Sequence, residues 1–470
     1  MKILAEKFFV FAKRAVFIQR CFVTTSPLAL TQLQNFCVDL RQRQLIANSH
    51  PPNIYECDGL KKLSELPNVL YAGFDATADS LHVGNLCIIN SLFRAVLCGC
   101  KVILLIGKTT ALAGDPSGRS SARNISTDDV ISANAVKIQK QLETITANFI
   151  DRYGKKYSEE IVLVCNNDWY DKMSIGEFLH IGHSFHIGNM LRLSSIKKRM
   201  HAEGRIDFSE FSYQNLQAID WLHLAKTYNC FFQIGGSDQL GNFDVGYNYI
   251  RDTIGKSSAA LGIVLVTNSS GDKLGKSVTD PSASVWLNSS RTSPYAFFQF
   301  WRQQPDKEIK SLISYFSLQP LQEVNAVLSN HEANLGRWIA QEYLANEMTQ
   351  LVHGKHGLDL AQRCTKALFH GTLEELKNYS LDVLKSLFGR GSTHIVHKAE
   401  VKTIGNLADK IKTGRPVGTA VVKSGGFKLN GKRYNDPELL INFDDVFFGG
   451  KCITIVTWGK RNHQLIVWVD

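Results

Sequence analysis

Long apolar runs, paired cysteines and a phosphate-binding P-loop are all missing from this sequence of 470 residues. No stretch approaches the roughly 20 consecutive apolar residues that span a bilayer, so the sequence predicts no membrane helix. The ten cysteines form no Cys-x-x-Cys pair, which favours reduced, buried thiols. A Walker loop needs four residues between its first glycine and Gly-Lys-Ser/Thr, whereas Gly271 and Gly275 enclose three, and Val102 stands where a loop ending at Gly107 would need glycine. The sequence therefore predicts neither a membrane protein nor a P-loop enzyme.

What is present is the composition of an ordinary soluble globular protein, with 44% apolar and 20% charged residues. A length of 470 residues exceeds what one hydrophobic core usually organises, so two or three domains are expected. The net charge is +10, and Lys and Arg outnumber the acids by 12 to 7 between Lys398 and Asp470. A basic surface indicates a polyanionic partner, although a charged face that only maintains solubility is equally consistent with these numbers.

The first 27 residues have little acidic charge. Glu6 is their one acid, against five bases with apolar residues between them: Lys2, Lys7, Lys13, Arg14 and Arg20. This pattern predicts an amphipathic helix of the organelle-import type, and the bases at 13 and 14 interrupt the apolar run that a secretory signal would need. We therefore expect residues 1–28 to be a mitochondrial targeting peptide that directs the chain to the matrix. A frayed N-terminal helix is the alternative.

From Val69 onwards, short apolar runs alternate with longer helical patterns. The runs read VLYAGF, KVILLIG, IVLVCN, CFFQIGG and GIVLVTN. Such alternation predicts an α/β domain over residues 29–280, with a doubly wound, Rossmann-like and mostly parallel sheet. Ligands of such sheets lie at the carboxyl ends of the strands. The polar segments AGFDAT, GDPSG, NNDW, GGSDQ and NSSGDKLGKS follow the runs and are therefore the first candidates for a site.

The strand pattern fades after Pro281. Segments such as DKEIKSLISYF and TLEELKNYSLDVLKSLFG predict an α-helical domain over residues 281–395. In the second segment Thr372 precedes Glu375 by three residues, as in a capping box, and Gly389 ends the pattern. Residues 396–470 change again, because GGFKLNGKR is typical of a β-hairpin and ITIVTW and QLIVWV are typical of strands. We expect a small α+β domain there.

Two short elements compete for the role of a nucleotide-binding loop. His82-Val83-Gly84-Asn85 follows an apolar strand and opens a helix, where free backbone N–H groups and a close backbone approach at the glycine suit phosphates. The literal tetrapeptide His-Ile-Gly-His at His180–His183 follows the helical run MSIGEFLHIGH and lacks this geometry. Histidines 180, 183 and 186 recur every three residues, but no Cys or carboxylate at ligand spacing joins them, so we expect no metal site.

A third element, GDKLGKS, follows the last strand of the predicted sheet. It places Lys273 and Lys276 on a Gly-containing loop, where compact ammonium charges can close over a leaving pyrophosphate. Basic loop tips are common, so this element indicates a nucleotide site only because it lies downstream of HVGN.

Taken in order, these segments resemble a class I aminoacyl-tRNA synthetase, and specifically the mitochondrial or bacterial tyrosyl-tRNA synthetases. The matching stretches from Tyr71 to Trp301 are YAGFDATADSLHVGN, GDPSGRSSAR, DFSEFSYQNLQAIDWL, QIGGSDQLGN, GDKLGKS and RTSPYAFFQFW, and GGFKLNGKRYND resembles an S4-like RNA-binding domain. The resemblance implies activation of tyrosine by ATP to tyrosyl-adenylate and pyrophosphate, followed by transfer to mitochondrial tRNA(Tyr). It also implies a homodimer, an anticodon-binding role for the helical domain, and Mg²⁺ that accompanies ATP without a dedicated metal site in the protein.

The resemblance also assigns site residues. For tyrosine, the matching positions are Tyr71 and Asp220 at the phenolic hydroxyl, Asp115, Tyr213 and Gln217 at the α-amino group, and Gln233 and Gln239 near the carboxylate. For ATP they are Gly73, Asp75, Thr77, His82, Gly84, Asn85, Gly236, Asp238 and Lys276. The expected catalytic residues are Thr77, His82, Arg119, Arg123, Lys273, Lys276 and Ser277, and the expected tRNA contacts are Arg415, Lys428, Lys432 and Arg433. For the arginine pair and the tail cations, solvated surface charge is the alternative.

Two positions depart from the family pattern. Asn85 stands where a second His is common, and Leu240 stands where many relatives carry Trp. An Asn amide can still donate a hydrogen bond to ATP, so we expect an altered ATP affinity rather than a loss of activity. Two other functions remain open. A tryptophan-specific relative would share both signature loops, although the pair of Tyr71 and Asp220 argues against it, and the chain could be an RNA-binding protein on a synthetase scaffold.

Overall fold

The computed structural model describes residues 29–118, 126–267, 274, 284–369, 373–377, 379–388, 392–411, 418–459 and 462–470. The expected targeting peptide, 1–28, therefore lies outside the described residues, as do Arg119, Arg123, Lys273, Lys276, Ser277 and Arg415. The described residues form two compact units, the first within 1–77, 88–135 and 157–265, and the second within 78–87, 136–156 and 266–470. No helix in the part of the chain that the structure describes is long and apolar enough to cross a membrane.

A mostly parallel sheet forms the centre of the first unit. Its strands are β1 (Ile46–His50), β2 (Val69–Asp75), β3 (Lys101–Gly107), β4 (Ile161–Cys165), β5 (Phe232–Gly236) and β6 (Ala259–Ile263), in the order β1-β6-β5-β2-β3-β4. Strands β2 to β6 are parallel to their neighbours, whereas β1 is antiparallel to β6. Strand β3 is apolar and buried along almost its whole length, as expected for the interior of such a sheet. The predicted doubly wound α/β sheet is confirmed.

Two details of the sheet differ from the sequence-based prediction. Strand β1 has the sequence IANSH, whose polar residues carry no strand signal, and it forms by pairing with β6. Strand β6 lies at Ala259–Ile263 rather than along GIVLVTN, so the second half of that apolar run lies beyond the strand. All of β6 is buried, as expected for a strand inside a sheet that is covered on both faces.

Helices follow the strands in alternation. They are α1 (Gln32–Gln42), α2 (Cys57–Leu63), α3 (Val83–Leu97), α4 (Lys108–Ala113), α5 (Asp128–Tyr153), α6 (Asn167–Tyr170), α7 (Ile175–Gly182), α8 (Ile187–Met190), α9 (Ser194–Glu203), α10 (Phe208–Tyr228) and α11 (Leu240–Ile254). Helices α10 and α11 join the sheet in one core, with Trp221 and Phe243 from the helices and Tyr71 and Ile103 from the strands. Residues on the buried face of α10 are thereby brought to the strands.

The second unit contains the helical segment predicted after Pro281. Its helices are α12 (Pro294–Arg302), α13 (Asp306–Phe316), α14 (Leu321–Ala333), α15 (Ile339–Phe369), α16 (Glu374–Lys377) and α17 (Leu381–Phe388). Ser293 caps α12 by accepting a hydrogen bond from the N–H of Ala296, and Pro294 occupies the first helical position. The described residues of TLEELKNYSLDVLKSLFG contain two helices rather than one, whereas the predicted cap at Thr372 and end at Gly389 lie outside the described residues. Helix α15 is kinked at Gly354, whose φ is 72°.

A second sheet lies near the C-terminus. Its strands β7 (Thr393–His397), β8 (Phe427–Leu429), β9 (Lys432–Tyr434), β10 (Ile453–Trp458) and β11 (Asn462–Val469) have the order β7-β11-β10-β8-β9. Strands β8 and β9 form the hairpin that the sequence indicates, and its turn residues Asn430 and Gly431 have φ values of 49° and 85°, which Asn and Gly adopt readily. Helices α18 (Ile404–Lys410), α19 (Gly418–Lys423) and α20 (Phe443–Val446) complete an α+β arrangement.

Candidate active site

Polar side chains from four neighbouring strand ends meet in the first unit. Asp75 ends β2, α4 begins directly after β3, Asn166 follows β4, and Gly236 ends β5. Because these strands are parallel, their carboxyl ends lie at the same edge of the sheet. Side chains of α10 reach this edge and join two hydrogen-bonded groups. In the first, Asn166 donates to both Asp220 and Thr110, and Thr110 donates to Asp75; the second surrounds Asp115.

Asp220 is the acceptor at the centre of the first group. Its Oδ2 accepts a hydrogen bond from the Asn166 amide at 3.1 Å, and its Oδ1 accepts one from the Trp169 indole N–H at 3.0 Å. Tyr71 lies close enough for its charge state to be affected by Asp220, and it is 1% exposed. The Tyr71 hydroxyl has no hydrogen-bond partner among the residues that the structure describes. A buried hydroxyl and a buried carboxylate thus retain hydrogen-bonding capacity that a ligand hydroxyl can use.

The protonation of this pair follows from its burial. The pKa of Asp220 is raised to about 7, chiefly by burial; hydrogen bonds from Asn166, Trp169 and Tyr170 oppose the rise, and the charge of Asp75 adds to it. Burial and the neighbouring charge of Asp220 raise the pKa of Tyr71 well above its ordinary value. Tyr71 therefore stays a neutral phenol, and the donors at the end of β4 help to decide how far Asp220 is ionised near neutral pH.

The second group surrounds Asp115. Its Oδ1 accepts the backbone N–H of Ser117 at 2.9 Å, and its Oδ2 accepts the side-chain amide of Gln239 at 2.7 Å. The Asn242 amide donates to the carbonyl oxygens of Gln239 and Gln217, at 2.9 Å in both cases. The group therefore combines one carboxylate with two amide carbonyls, which are acceptors that can bind an ammonium ion.

Asp75 is held by two hydroxyl donors. Thr110 Oγ1 donates to its Oδ1 at 2.8 Å, and the Tyr213 hydroxyl donates to its Oδ2 at 2.9 Å. Gly107 leaves room for this arrangement, since a Cβ there would lie 2.3 Å from Asp75 Oδ1. Tyr213, which the resemblance assigns to the α-amino group, thus bonds to a residue that the resemblance assigns to ATP.

The other expected ligand residues of the first unit lie on the same strands. A Cβ on Gly236 would lie 2.6 Å from Asp238 Oδ1, so a side chain at position 236 would displace this carboxylate. Gln233 on β5 is 3% exposed, and its Oε1 has no hydrogen-bond partner within the described ranges. Gly73 is exposed on β2, and Thr77 is half-buried shortly after that strand.

The element His82-Val83-Gly84-Asn85 belongs to the second unit and opens α3, as predicted. Asn85 Oδ1 accepts the backbone N–H of His82 at 3.1 Å, so the residue that departs from the family pattern closes the first turn of the helix. A Cβ on Gly84 would lie 2.8 Å from His82 Cε1. Glycine at this position therefore determines where the imidazole can lie.

The segment Val285–Arg291 anchors this element, although nothing in its sequence signals that role. The N–H of Val83 bonds to the Val285 carbonyl at 3.1 Å, and His82 forms an isolated antiparallel bridge with Trp286. The Arg291 guanidinium lies 4.3 Å from the centroid of the Trp286 ring, in a cation–π contact. HVGN is thus fixed by chain that lies shortly downstream of GDKLGKS.

The competing tetrapeptide, His180–His183, lies on α7 with His183 at the C-terminal end of the helix. Both histidines are exposed, and their rings are 6.1 Å apart. The tetrapeptide thus lies on a helix at the surface, as the sequence predicts.

Four residues of the two hydrogen-bonded groups received no role from the sequence. They are Thr110, Asn166, Trp169 and Asn242. Asn166 and Trp169 belong to NNDW, which the sequence marks only as a polar segment after a strand. Its position was a usable signal, but the choice of which side chains turn inward is made by the one-turn helix α6. Asn242 lies on α11 and ends the stretch QIGGSDQLGN, but the resemblance assigned it no role.

The chain is similar to several known proteins. A family model described as tRNA synthetases class I (W and Y) matches residues 63–370. The mitochondrial tyrosine–tRNA ligase of Rattus norvegicus is 37% identical over 411 residues, covering 86% of both chains, and that of Drosophila melanogaster is 38% identical over 410 residues, covering 85% of this chain and 87% of the relative. A C-terminally truncated mitochondrial tyrosyl-tRNA synthetase from Aspergillus nidulans is similar in structure, with a TM-score of 0.62 and 29% identity, covering 71% of this chain and 94% of that one. The chain therefore belongs to the class I tRNA synthetases, in the family of the tryptophan and tyrosine enzymes.

Proposed function

We propose that the chain is a tyrosine–tRNA ligase, which converts tyrosine and ATP to tyrosyl-adenylate and pyrophosphate and then transfers the tyrosyl group to tRNA(Tyr). The observation that carries this proposal is the buried pair formed by the Tyr71 hydroxyl and the Asp220 carboxylate. A phenolic hydroxyl can donate to the carboxylate and accept from Tyr71. Phenylalanine would leave the buried Tyr71 hydroxyl without a partner and would offer no donor to Asp220, which gives a physical basis for its rejection.

The rest of the amino acid is held by polar side chains of the Asp115 group together with Tyr213 and Gln233. Asp115, Tyr213 and Gln217 bind the α-ammonium, and Gln233 and Gln239 orient the carboxylate. One carboxylate oxygen then attacks the α-phosphorus of ATP in line, forming an O–P bond as the bond to pyrophosphate breaks. No covalent bond to the enzyme forms, so catalysis consists of positioning and of stabilising the charge that develops on pyrophosphate.

Two sets of residues bind ATP, one at its ribose and one at its phosphates. Asp238 binds the ribose, beside Gly73, Asp75 and Gly236, while Thr77, His82, Gly84 and Asn85 face the phosphates. Lys273, Lys276, Ser277, Arg119 and Arg123 supply positive charge and a hydroxyl to the leaving pyrophosphate. Mg²⁺ enters with ATP, because this ion keeps several waters and is commonly held by substrate phosphates.

Tyrosine-dependent exchange of pyrophosphate into ATP tests the activation step. We expect exchange in the presence of tyrosine, and excess tryptophan or phenylalanine should not substitute for tyrosine in this assay. Exchange driven by tryptophan would favour the tryptophan-specific alternative. Folded protein that binds RNA but exchanges no pyrophosphate would favour a binding role on a synthetase scaffold.

The domain organisation assigns the rest of the chain to tRNA. Residues 29–280 form the catalytic domain, 281–395 an anticodon-binding domain and 396–470 an S4-like RNA-binding domain, to which strand β7 at Thr393–His397 also belongs. Lys428 and Arg433 are directly opposite each other on β8 and β9, so they share one face of the hairpin, whereas Lys432 is on the other face. Lys428 and Arg433 are therefore a joint phosphate contact, and Lys432 and Arg415 are separate ones.

Neutralising that joint contact gives a measurable salt effect. For the double variant Lys428→Ala with Arg433→Ala, we expect the slope of log affinity for tRNA against log salt to become shallower by about 1.5, since each lost phosphate contact removes about 0.7 to 0.9. Nitrocellulose filter binding at several salt concentrations measures the slope. Lys402→Ala is the control for an unrelated surface cation. An unchanged slope in the double variant would mean that these two cations are merely solvated.

A homodimer is part of the proposed function, and the first unit has an apolar surface suited to it. Ile175, Leu179, Ile187 and Phe208, on α7, α8 and the start of α10, are between 64% and 81% exposed. Between these helices, the buried Arg199 of α9 donates to both carboxylate oxygens of Glu210, at the start of α10. Large exposed apolar side chains concentrated in one segment are typical of an association surface, and a second copy of the chain is its partner.

The substitution Ile175→Glu tests this association. The side chain is 81% exposed at the first position of α7, where an acidic residue favours the helix, so the fold should be unaffected. We expect the variant to sediment as a monomer at micromolar concentration, while the parent chain sediments as a dimer. Leu335→Glu, at an exposed leucine of the second unit, is the control and should stay dimeric. A parent chain that is monomeric throughout would contradict the proposal.

The mitochondrial matrix is the proposed location. The basic, acid-poor segment 1–28 supports it, as does the similarity to mitochondrial tyrosine–tRNA ligases. Fractionation of cells that express the full chain checks the location.

A further inference from the structure

One aromatic contact beside the tyrosine pocket has no part in the function proposed so far. His223 lies on α10, three residues after Asp220, and its imidazole stacks on the indole of Trp169. The ring centroids are 4.2 Å apart and the planes differ by 16°. At this distance the rings are in van der Waals contact, so the imidazole covers one face of the indole.

Trp169 needs such support because its own backbone provides little. It belongs to α6, a single turn at Asn167–Tyr170, and its side chain is only half-buried. Yet its indole N–H is one of the donors to Asp220, at 3.0 Å. The strength of a hydrogen bond falls steeply as donor and acceptor lose alignment, so a tilt of the indole would weaken this bond.

We propose that His223 is a positioning residue for tyrosine recognition: by stacking on Trp169 it keeps the indole N–H aligned with Asp220, and so keeps the carboxylate oriented for the phenolic hydroxyl of the substrate. This inference rests on the proposed function, because it concerns the selectivity of the same pocket. The role requires a flat ring at position 223 and does not require a proton on it.

The charges around His223 agree with a neutral ring. Burial lowers the pKa of His223, and the positive charges of Lys172 and Lys226 lower it further. A neutral imidazole adds no cation near Asp220, so its contribution is contact area and orientation. One ring nitrogen, Nε2, is 3.4 Å from the Thr227 hydroxyl, which is compatible with one preferred ring orientation.

The test is the substitution His223→Ala, compared with His223→Phe. For the alanine variant we expect the tyrosine Kd and KM in pyrophosphate exchange to rise about two- to tenfold, the range that aromatic pairs contribute, with kcat nearly unchanged. Activation of phenylalanine, measured at high concentration, should change little, because phenylalanine has no hydroxyl for Asp220 to recognise. The ratio of kcat/KM for tyrosine to that for phenylalanine should therefore fall by the same factor. The phenylalanine variant keeps a flat ring and should retain the ratio of the parent chain.

Two controls separate positioning from a merely structural role. Lys226→Ala, on the exposed side of the same helix, should leave the ratio unchanged. His223→Leu fills space without a flat ring and should behave like the alanine variant. An equal loss for tyrosine and phenylalanine, or the same ratio in the alanine and parent chains, would overturn the inference. A parent chain with no tyrosine-dependent exchange would instead overturn the proposed function, so the two failures are distinguishable.

Discussion

Asp220→Asn is expected to lower kcat/KM for tyrosine by about a hundredfold. The two carboxylate oxygens accept hydrogen bonds from Trp169 and Asn166. In asparagine one oxygen becomes an NH₂ group, which must face one of these donors. A buried polar group left without a partner costs about 1–3 kcal/mol, and the charged acceptor for the phenol is lost as well. Pyrophosphate exchange at varied tyrosine concentration measures the effect.

The same variant has a second readout in the pH profile. The pKa of Asp220 is raised to about 7, so the carboxyl group is ionised above that pH and neutral below it. Since kcat/KM reports groups of the free enzyme, kcat/KM for tyrosine should rise as pH increases through about 7. This step should be absent in the asparagine variant. Asp252→Asn, at an exposed acid on α11, is the matched control, and a loss as large for phenylalanine as for tyrosine would contradict the assignment.

Lys276→Ala is expected to reduce the rate of tyrosyl-adenylate formation by about 10²–10³, the usual effect of removing one group that stabilises developing charge. Lys276 belongs to the segment GDKLGKS, and its ammonium is proposed to neutralise pyrophosphate as it leaves. Ground-state tyrosine makes no contact with that charge, so the tyrosine Kd should stay unchanged. Single-turnover kinetics with saturating ATP measure the rate, and equilibrium binding measures the Kd.

The control for this prediction is an exposed lysine elsewhere, Lys310 on α13. Lys310→Ala should leave both the rate and the Kd at the values of the parent chain. Weaker tyrosine binding with no loss of rate in Lys276→Ala would show that the loop acts in substrate binding rather than in the chemical step.

The parallel sheet and the place of HVGN are predictable because their signals are local. Apolar runs such as KVILLIG are long enough to require burial on both faces, and the helix after His82 begins where the strand pattern stops. Strand β1 is not predictable in this way. Its sequence, IANSH, has no pattern of its own, and it is a strand only because the edge of β6 offers hydrogen bonds.

The residues of the site differ in the same way: some carry a local sequence signal, and others are recognised only by their tertiary contacts. Tyr71, Asp115, Asp220 and Gln239 stand within stretches that resemble the tyrosyl-tRNA synthetases, so the sequence names them. Trp169 and His223 stand outside the stretches that resemble those synthetases. Their roles depend on a contact between a one-turn helix and a long helix, across 54 residues of chain.

The sequence by itself determined the family, the doubly wound sheet and the residues that resemblance assigns to tyrosine and ATP. Tertiary structure alone decided which other residues contact these residues and how deeply they are buried. Burial leaves the Tyr71 hydroxyl without a described partner, directs two donors at Asp220 and stacks His223 on Trp169. The physical reason is that composition and order along the chain set which chemistry is available, whereas desolvation and hydrogen-bond alignment depend on residues that are distant in sequence.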